Sequence, residues 1–278
     1  MTHHPRPVTG LTATGALMTV HLAWEPRAHG PLVDHYRVHA VPAGRAERGL
    51  RHLGDDTLLA RTVYPRWEHG GRSPEGEEWV YVVVTVDAAG RWSRPSRPER
   101  AHSLPSVTTG CPVAQVGDFD RRSLELRHAP AGYKAIATEH PDGLITVGPD
   151  DGPAQWPYLL PGPGDTWAGS RAYTLRWTVR ADRPVSRPAV ALWGIDTTRL
   201  GGRLEVALGT WQQATDLPRG ATKGSREGDA TLPDTPLRPV SLEWELPSPL
   251  PAGEHLLTAT LAEGGWLAWD AAGLFDLA

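Results

Sequence analysis

Short runs of alternating apolar and polar residues dominate this sequence and constrain its fold more than any other feature. A period of two is that of a β-strand with one buried face. Turn signals such as Glu25-Pro26, Asp142-Gly143 and Gly264-Gly265 separate the runs. No amphipathic pattern longer than two helical turns accompanies them. The predicted strands cover residues 21–26, 35–41, 79–88, 173–179, 189–195, 203–209, 241–246 and 255–262.

This pattern predicts an all-β protein made of two β-sandwiches in tandem, because many short strands with turn punctuation favour sandwiches or barrels over a parallel α/β sheet. The boundary is expected within residues 90–112, where four prolines and scattered basic residues indicate an edge strand and then an extended linker. We place the break near residue 106, which gives domains of residues 1–105 and 106–278. A chain of 278 residues is long enough for both.

Charge and cysteine content limit the classes of partner. The net charge of −4 gives no general attraction to nucleic acid or to an acidic membrane, and no apolar run is long enough to span a bilayer. We therefore expect no nucleic-acid partner and no membrane partner. The lone Cys111 excludes an internal disulfide and a cysteine-based metal cluster. No signal-peptide pattern is visible in the first residues, MTHHPRPVTG, so the localisation stays unknown.

The first domain carries residues typical of one common sandwich. Trp24 and Tyr36 lie in consecutive predicted strands, and YVVVTVDAAGRWSRPS (81–96) closes the segment. With these features residues 5–105 resemble a fibronectin type III domain. The resemblance implies a seven-stranded sandwich with Trp24 in the core. It also implies that Tyr81 is the corner tyrosine, with a buried ring and a hydroxyl bonded to backbone.

Three stretches of the second domain keep the order and spacing of one family. VGDFDRRSLEL (116–126) resembles the opening Gly-x-x-Asp-x-x-Ser-x-Glu-Phe pattern of the C-terminal domain of rhamnogalacturonan lyases. HPDGLITVGPDDGPAQWPY (140–158) is similar to a Pro-x-Gly-Val-x-Tyr-x-Ile-Gly segment of that domain, and residues 246–277 resemble its closing hairpin and strand. This chain departs from the family pattern at four positions. Leu126 replaces an aromatic residue, Gln155 replaces an aspartate, His255 stands where asparagine is common, and Trp269 stands where tyrosine is common.

The second resemblance implies a jelly-roll similar to carbohydrate-binding modules, and it suggests an extracellular protein. In those lyases a catalytic sandwich precedes a fibronectin-like domain and then the jelly-roll, and this chain has the second and third in that order. The lysine and histidine of the β-elimination belong to the catalytic domain, so no catalytic residue is carried over. Lys134 and Lys223 match no catalytic motif and are expected at the surface. No serine-hydrolase, nucleotide-binding or zinc-protease motif is present.

Tryptophan supplies the candidate sugar-binding residues. The second domain holds eight of the 12 tryptophans, and flat indole rings suit the C–H faces of sugars while polar neighbours bind hydroxyls. Residues 156–169, WPYLLPGPGDTWAG, place aromatic rings between rigid Pro-Gly turns, which lowers the ordering cost of binding. We expect one tryptophan of this segment to anchor it in the sandwich and the other to line a shallow platform. The predicted carbohydrate-binding residues are Trp156, Tyr158, Asp165, Trp167, Arg171, Trp211 and Trp266.

The remaining features have simpler expectations. Trp177, Trp193 and Trp244 lie within strand patterns and are expected in the core. Residues 212–229, which carry Lys223 and Arg226, are expected to form a polar surface loop that either contacts acidic sugars or is merely mobile.

One pair of carboxylates is a candidate metal site. Asp150 and Asp151 lie in a predicted turn, where hard oxygen ligands suit a structural calcium ion, although a solvated turn has the same sequence. No other cofactor is expected.

Together these observations predict a non-catalytic carbohydrate-binding or accessory protein for a pectin-type polysaccharide such as rhamnogalacturonan. The expected partner is therefore a polysaccharide or oligosaccharide. Two alternatives remain open. The chain is the C-terminal portion of a rhamnogalacturonan lyase whose catalytic domain is encoded upstream, or it is a purely structural pair of sandwiches with every tryptophan buried.

Overall fold

The protein was described from a computed structural model, which gives residues 4–29, 33–221 and 226–278, except the side chains of residues 47 and 48. The chain divides into two compact units, Met1–Ser106 and Val107–Ala278. Strands form nearly all of the regular structure in both units, so the predicted all-β fold of two sandwiches is confirmed. None of the described helices is long and apolar enough to cross a membrane.

The first unit is a seven-stranded sandwich. Antiparallel pairing gives a three-stranded sheet of order β1-β2-β5 and a four-stranded sheet of order β4-β3-β6-β7. Seven strands are the number that the resemblance to a fibronectin type III domain implied. The elements are β1 (Thr12–Ala16), β2 (Thr19–Ala23), β3 (His35–Pro42), α1 (Ala46–Gly49), β4 (Leu58–Thr62), β5 (Arg66–His69), β6 (Glu78–Val86) and β7 (Glu99–His102).

The core of this unit contains the residues that the sequence pattern indicated. Trp24 and Tyr36 are both buried, and their rings meet edge to face with centroids 5.3 Å apart. Tyr81 is fully buried, as expected for a corner tyrosine. The expectation that its hydroxyl bonds to backbone is wrong, because the hydroxyl lies 2.9 Å from Nδ1 of the buried His69. The end of β5 brings the imidazole into the core, where it provides the polar partner that the phenol needs.

The second unit is a larger sandwich of two five-stranded sheets. One sheet has the order β10-β17-β12-β15 with β8 also paired to β17, and the other has the order β14-β13-β16-β11-β9. The strands and helix are β8 (Cys111–Val116), α2 (Tyr133–Glu139), β9 (Leu144–Val147), β10 (Leu159–Pro161), β11 (Thr174–Ala181), β12 (Pro188–Thr197), β13 (Gly202–Leu208), β14 (Trp211–Leu217), β15 (Val240–Glu245), β16 (Gly253–Gly264) and β17 (Trp266–Asp276).

All eight predicted strands are present, with ends displaced by three residues at most. The loop predicted for residues 212–229 is wrong at its start, because β14 continues to Leu217 and pairs with β13 along its whole length. β14 is an edge strand with only Leu217 buried, so its sequence lacks the apolar alternation that would predict a strand.

The three tryptophans assigned to the core differ in burial. Trp177 lies inside the sandwich, and Trp193 is buried on the other side of its sheet, where Phe119 meets it edge to face. Both are buried as predicted, Trp177 within the core cluster between the sheets and Trp193 outside it. Trp244 is half-buried, and its ring packs against that of Trp211 at 5.8 Å.

Candidate binding cleft

The segment 156–169 is anchored by its first two aromatic residues. Trp156 is 1% exposed and meets the rings of Trp177 and Trp269 edge to face at 5.5 and 5.8 Å. Tyr158 is fully buried, and its carbonyl oxygen accepts the amide of Trp269 at 2.8 Å. Neither ring has a free face for a ligand. The assignment of Trp156 and Tyr158 to sugar binding is therefore corrected: Trp156 is the anchoring tryptophan of the pair.

Trp167 is the exposed member of the pair, with 68% of its surface open to solvent. It lies in a 3-10 turn over Thr166–Ala168, which Asp165 begins by accepting the Trp167 amide on Oδ1 at 3.0 Å. Gly169 ends the turn with φ 82°, a left-handed conformation that favours glycine. A short, capped turn thus carries a large apolar ring into solvent in one fixed place.

Two glycines hold this turn against the hairpin between β16 and β17. The amides of Gly162 and Gly164 donate to the carbonyl oxygens of Gly265 and Gly264, both at 2.7 Å. A Cβ atom at either donor would lie within 3 Å of the Gly264 oxygen, so the two backbones approach too closely for any side chain. The close approach places Trp167 beside Trp266, the first residue of β17.

Trp167 and Trp266 line a cleft of about 770 Å³. Trp266 lies deeper and is only 7% exposed, whereas Leu200 on another wall is 70% exposed. Two exposed cations, Arg199 and Arg226, also line the space. Further lining residues are Tyr133, Leu159, Asp165, Glu227 and Pro236. The cleft therefore combines aromatic and aliphatic surface with both signs of charge.

Asp165 serves mainly as a structural cap in this cleft. Burial raises the pKa of its carboxyl group, while hydrogen bonds from the amides of Trp167 and Ala168 oppose that rise. The side chain is 8% exposed. Its loss would disturb Trp167 before it removed any direct contact with a ligand.

A buried carboxylate positions the opposite wall. Oδ1 of Asp196 accepts the amides of Ala221 at 3.2 Å and Arg238 at 3.4 Å. Arg199 donates from Nε to the Ala221 oxygen at 3.1 Å, which holds its guanidinium group near the cleft. The wall is thus tied to the end of β12, where Asp196 lies.

Helix α2 supports Trp167 from the side. The Lys134 ammonium group lies 4.9 Å from the centroid of the Trp167 ring, and the ring of Tyr133 meets it edge to face at 6.4 Å. Both residues belong to the first turn of the helix. Lys134 is exposed, as the sequence predicted.

The cleft brings together three of the seven predicted residues, namely Asp165, Trp167 and Trp266. Arg171 is exposed elsewhere and donates to the Pro141 oxygen at 2.6 Å. Trp211 is half-buried against Trp244 and does not line the cleft. Lys223 lies outside the described residues. Sequence reasoning missed Tyr133, Arg199, Leu200, Glu227 and Pro236. The one available signal was that Arg199 and Leu200 come directly before the turn signal Gly201-Gly202.

The predicted calcium ligands already have protein partners. Asp150 forms a bidentate pair with Arg180, with N–O distances of 2.8 and 3.3 Å. Asp151 accepts the Gly148 amide at 2.6 Å. Within the described ranges no group of three or more His, Cys, Asp or Glu residues is arranged to hold a metal ion. Calcium binding at Asp150 and Asp151 stays an untested prediction.

A second depression lies on the outer face of the sheet that contains β13, β14 and β16. It has a volume of about 490 Å³, and its lining residues are Glu205, Val206, Ala207, Gln212, Gln213, Ala214, Thr258 and Thr260. No aromatic side chain is among them. This surface therefore offers hydrogen bonds but no ring on which a sugar can stack.

Comparisons with known proteins give weak likenesses only. No protein-family model matches the chain, and no curated protein matches it. Among solved structures, titin module A71 from human cardiac muscle is 18% identical with a TM-score of 0.25, over 35% of this chain and 89% of the module.

Two further structures come from proteins that act on or bind sugars. The α-L-rhamnosidase from Dictyoglumus thermophilum is 11% identical with a TM-score of 0.31, over 94% of this chain and 26% of the rhamnosidase. TmCBM61, solved with β-1,4-galactotriose, is 10% identical with a TM-score of 0.25, over 38% of this chain and 64% of that module. This chain thus spans about a quarter of the rhamnosidase. At these TM-scores the likenesses assign neither a family nor an activity.

Proposed function

We propose that the second unit binds a polysaccharide in the cleft lined by Trp167 and Trp266, and that the protein is a carbohydrate-binding or accessory protein. The observation that carries this proposal is the 68% exposure of Trp167 in a turn that Asp165, Gly162 and Gly164 hold in place. The exposed indole and the exposed Leu200 line one cleft together with charged residues, and apolar surface rimmed by polar groups marks a binding site.

Rigidity also favours binding energetically. A sugar that stacks on a fixed ring loses less free energy to ordering than one that must first organise a mobile loop. Large aromatic residues held at the centre of a contact commonly account for most of its binding free energy. Trp167 is a large ring held in this way, with Tyr133 and Lys134 at its side.

The charges of the cleft support a pectin-type ligand, rhamnogalacturonan in particular. Arg199 and Arg226 line the cleft and suit the carboxylate of a uronic acid, because a guanidinium binds carboxylates through two parallel donors. Leu200 and Pro236 offer apolar surface for a sugar that carries a methyl group. A polymer that alternates an acidic sugar with a 6-deoxy sugar would use both kinds of surface.

The test is an affinity comparison with matched variants. We expect the wild type to bind rhamnogalacturonan, and Trp167→Ala to lose at least about tenfold in affinity, the effect of removing a central tryptophan. Tyr64→Ala is the control, since Tyr64 is 65% exposed but does not line the cleft. Equal migration of wild type and Trp167→Ala in gels containing rhamnogalacturonan, polygalacturonate or galactan would remove the proposal.

A further inference from the structure

Strand β5 forms a free edge of the three-stranded sheet in the first unit. The sheet has the order β1-β2-β5, so β2 covers one side of β5 and no described strand pairs with the other side. Open space of about 520 Å³ borders β5, and Arg66, Trp67 and Glu68 are among the residues that line it. A free strand edge offers unpaired backbone groups to a further strand.

The pairing of β5 with β2 shows which backbone groups are open. The Trp24 amide of the β2 side donates to the oxygen of Pro65, the residue before β5, at 3.0 Å. Hydrogen-bonded pairs alternate along an antiparallel ladder, so Trp67 also bonds to β2, whereas the amide and carbonyl groups of Arg66 and Glu68 point to the free edge. The edge therefore presents donors and acceptors at these two residues.

The side chains of β5 differ in charge and in the face they occupy. Arg66 and Glu68 are exposed, whereas Trp67 between them is half-buried against the core of the unit and also lines the open space. In the part of the chain that the structure describes, Arg66 has no ion-pair partner and Glu68 has only His21, at 3.4 Å. A basic and an acidic side chain thus lie two residues apart on the outer face, around an incompletely covered tryptophan.

These features are self-complementary in one antiparallel register. When two copies of β5 pair about a two-fold axis at Trp67, Arg66 of each copy lies opposite Glu68 of the other. These opposite residues are then the hydrogen-bonded pairs, and the two tryptophans form the closer pair that lacks backbone bonds. A shift by two residues in either direction would place Arg66 opposite Arg66 or Glu68 opposite Glu68, which is unfavourable.

We propose that β5 is a dimerisation edge, at which a second copy of this chain adds its own β5 in that register. Charged residues on an edge strand disfavour pairing with strands of other sequence. Here their alternating sign matches a copy of the same strand, in the self-complementary contact that a two-fold dimer requires. Because β5 has only four residues, we expect a weak, reversible dimer with a Kd on the order of 10–100 µM.

Sedimentation velocity of the full chain at low ionic strength tests the dimer by charge reversal. We expect the wild type to be mostly dimeric at about 300 µM and monomeric at about 1 µM. Glu68→Arg and Arg66→Glu each place like charges opposite one another, and each should weaken self-association at least about tenfold. An equimolar mixture of the two variants has opposite charges at both positions and should form dimers as the wild type does.

A matched control separates this effect from net charge. Glu75→Arg makes the same change of charge at an exposed position of the same unit that does not line the open space beside β5. It should dimerise as the wild type does. A wild type that is monomeric at about 300 µM overturns the proposal. So does a dimer that neither reversal weakens, and so do reversed variants that stay monomeric when mixed.

Hydrogen exchange gives a second readout that needs no variant. The amides of Arg66 and Glu68 should exchange about two- to fourfold more slowly at about 300 µM than at about 10 µM protein, because the dimer pairs them. The Val185 amide, bonded to the Leu250 oxygen in the second unit, is the internal control and should not change. Exchange of Arg66 and Glu68 that is equal at the two concentrations contradicts the proposal. None of these measurements involves a sugar, so their outcome is independent of the proposed function.

Discussion

The ammonium group of Lys134 lies 4.9 Å from the centroid of the exposed Trp167 ring. Tyr133, one residue earlier, meets the same ring edge to face. The first turn of α2 therefore fixes the orientation of the indole that the 3-10 turn presents. A cation over an exposed indole contributes about 0.5–1 kcal/mol, enough to orient the ring but not to bury it.

Removing this cation should weaken the proposed sugar binding modestly. We expect Lys134→Gln to lower the affinity for rhamnogalacturonan about two- to fivefold, because the ring then samples more orientations before a sugar stacks on it. Lys134→Arg keeps the cation and should bind as the wild type does. Titration calorimetry with the three proteins measures the effect. Wild-type affinity in the Gln variant would show that the ring needs no such support.

The two tryptophans of residues 156–169 should differ sharply in their effect on stability. Trp156→Ala removes a fully buried ring from contact with Trp177 and Trp269, and should lower the free energy of unfolding by about 3–5 kcal/mol. Trp167→Ala should change it by no more than about 0.5 kcal/mol, as for most exposed positions. Urea unfolding followed by far-ultraviolet circular dichroism compares them. Equal destabilisation by both would contradict the anchor and platform assignment.

The strands were predictable because a strand with one buried face shows apolar residues at every second position of the sequence. β11 alternates buried and exposed positions, and Trp177 lies on its buried side as the pattern required. β14 lacked this signal, because an edge strand buries little and Gln212 and Gln213 read as loop. The corner position of Tyr81 followed from the resemblance of its domain. Its partner His69 did not, since the contact joins side chains on two different strands.

The cleft was predictable only in part, because contacts between residues far apart in the sequence form it. The rigid Pro-Gly turns predicted that one tryptophan of residues 156–169 is buried and the other exposed. They did not indicate which of the two is buried. That choice depends on the backbone approach of Gly162 and Gly164 to the β16–β17 hairpin, a contact across about a hundred residues. Arg199 is held at the cleft by its bond to the Ala221 oxygen, which lies 22 residues further along the chain.

Two buried histidines should make the first unit sensitive to acid. Burial lowers the pKa of both His39 and His69 from 6.5 to about 4, with nearby Arg37 and Arg72 lowering it further. The unfolded chain therefore binds more protons than the folded one between these values. The stabilising contribution is complete above about pH 6.5 and is lost as pH falls to about 4, amounting to about 3 kcal/mol for each histidine.

Thermal unfolding across this pH range tests the histidine prediction. We expect the melting temperature of the first unit to fall steadily between about pH 6.5 and 4, and to fall less in His39→Gln, which cannot be protonated. The variant His21→Gln is the control, because His21 is exposed and pairs only with the exposed Glu68. An identical pH profile in wild type and His39→Gln would mean that the buried imidazole is not the source of acid sensitivity.

Gly220 should be needed for the cleft wall although it contacts no ligand. A Cβ atom there would lie 1.7 Å from the Thr197 oxygen and 2.6 Å from Oδ1 of Asp196, so Gly220→Ala must displace the backbone that holds Ala221. We expect a loss of about 1–3 kcal/mol in stability and of at least about fivefold in affinity for rhamnogalacturonan. Gly152→Ala is the matched control, since its nearest neighbour would lie 3.9 Å away. If Gly220→Ala bound as tightly as Gly152→Ala, the wall of the cleft would not contribute to recognition, and Trp167 alone would carry it.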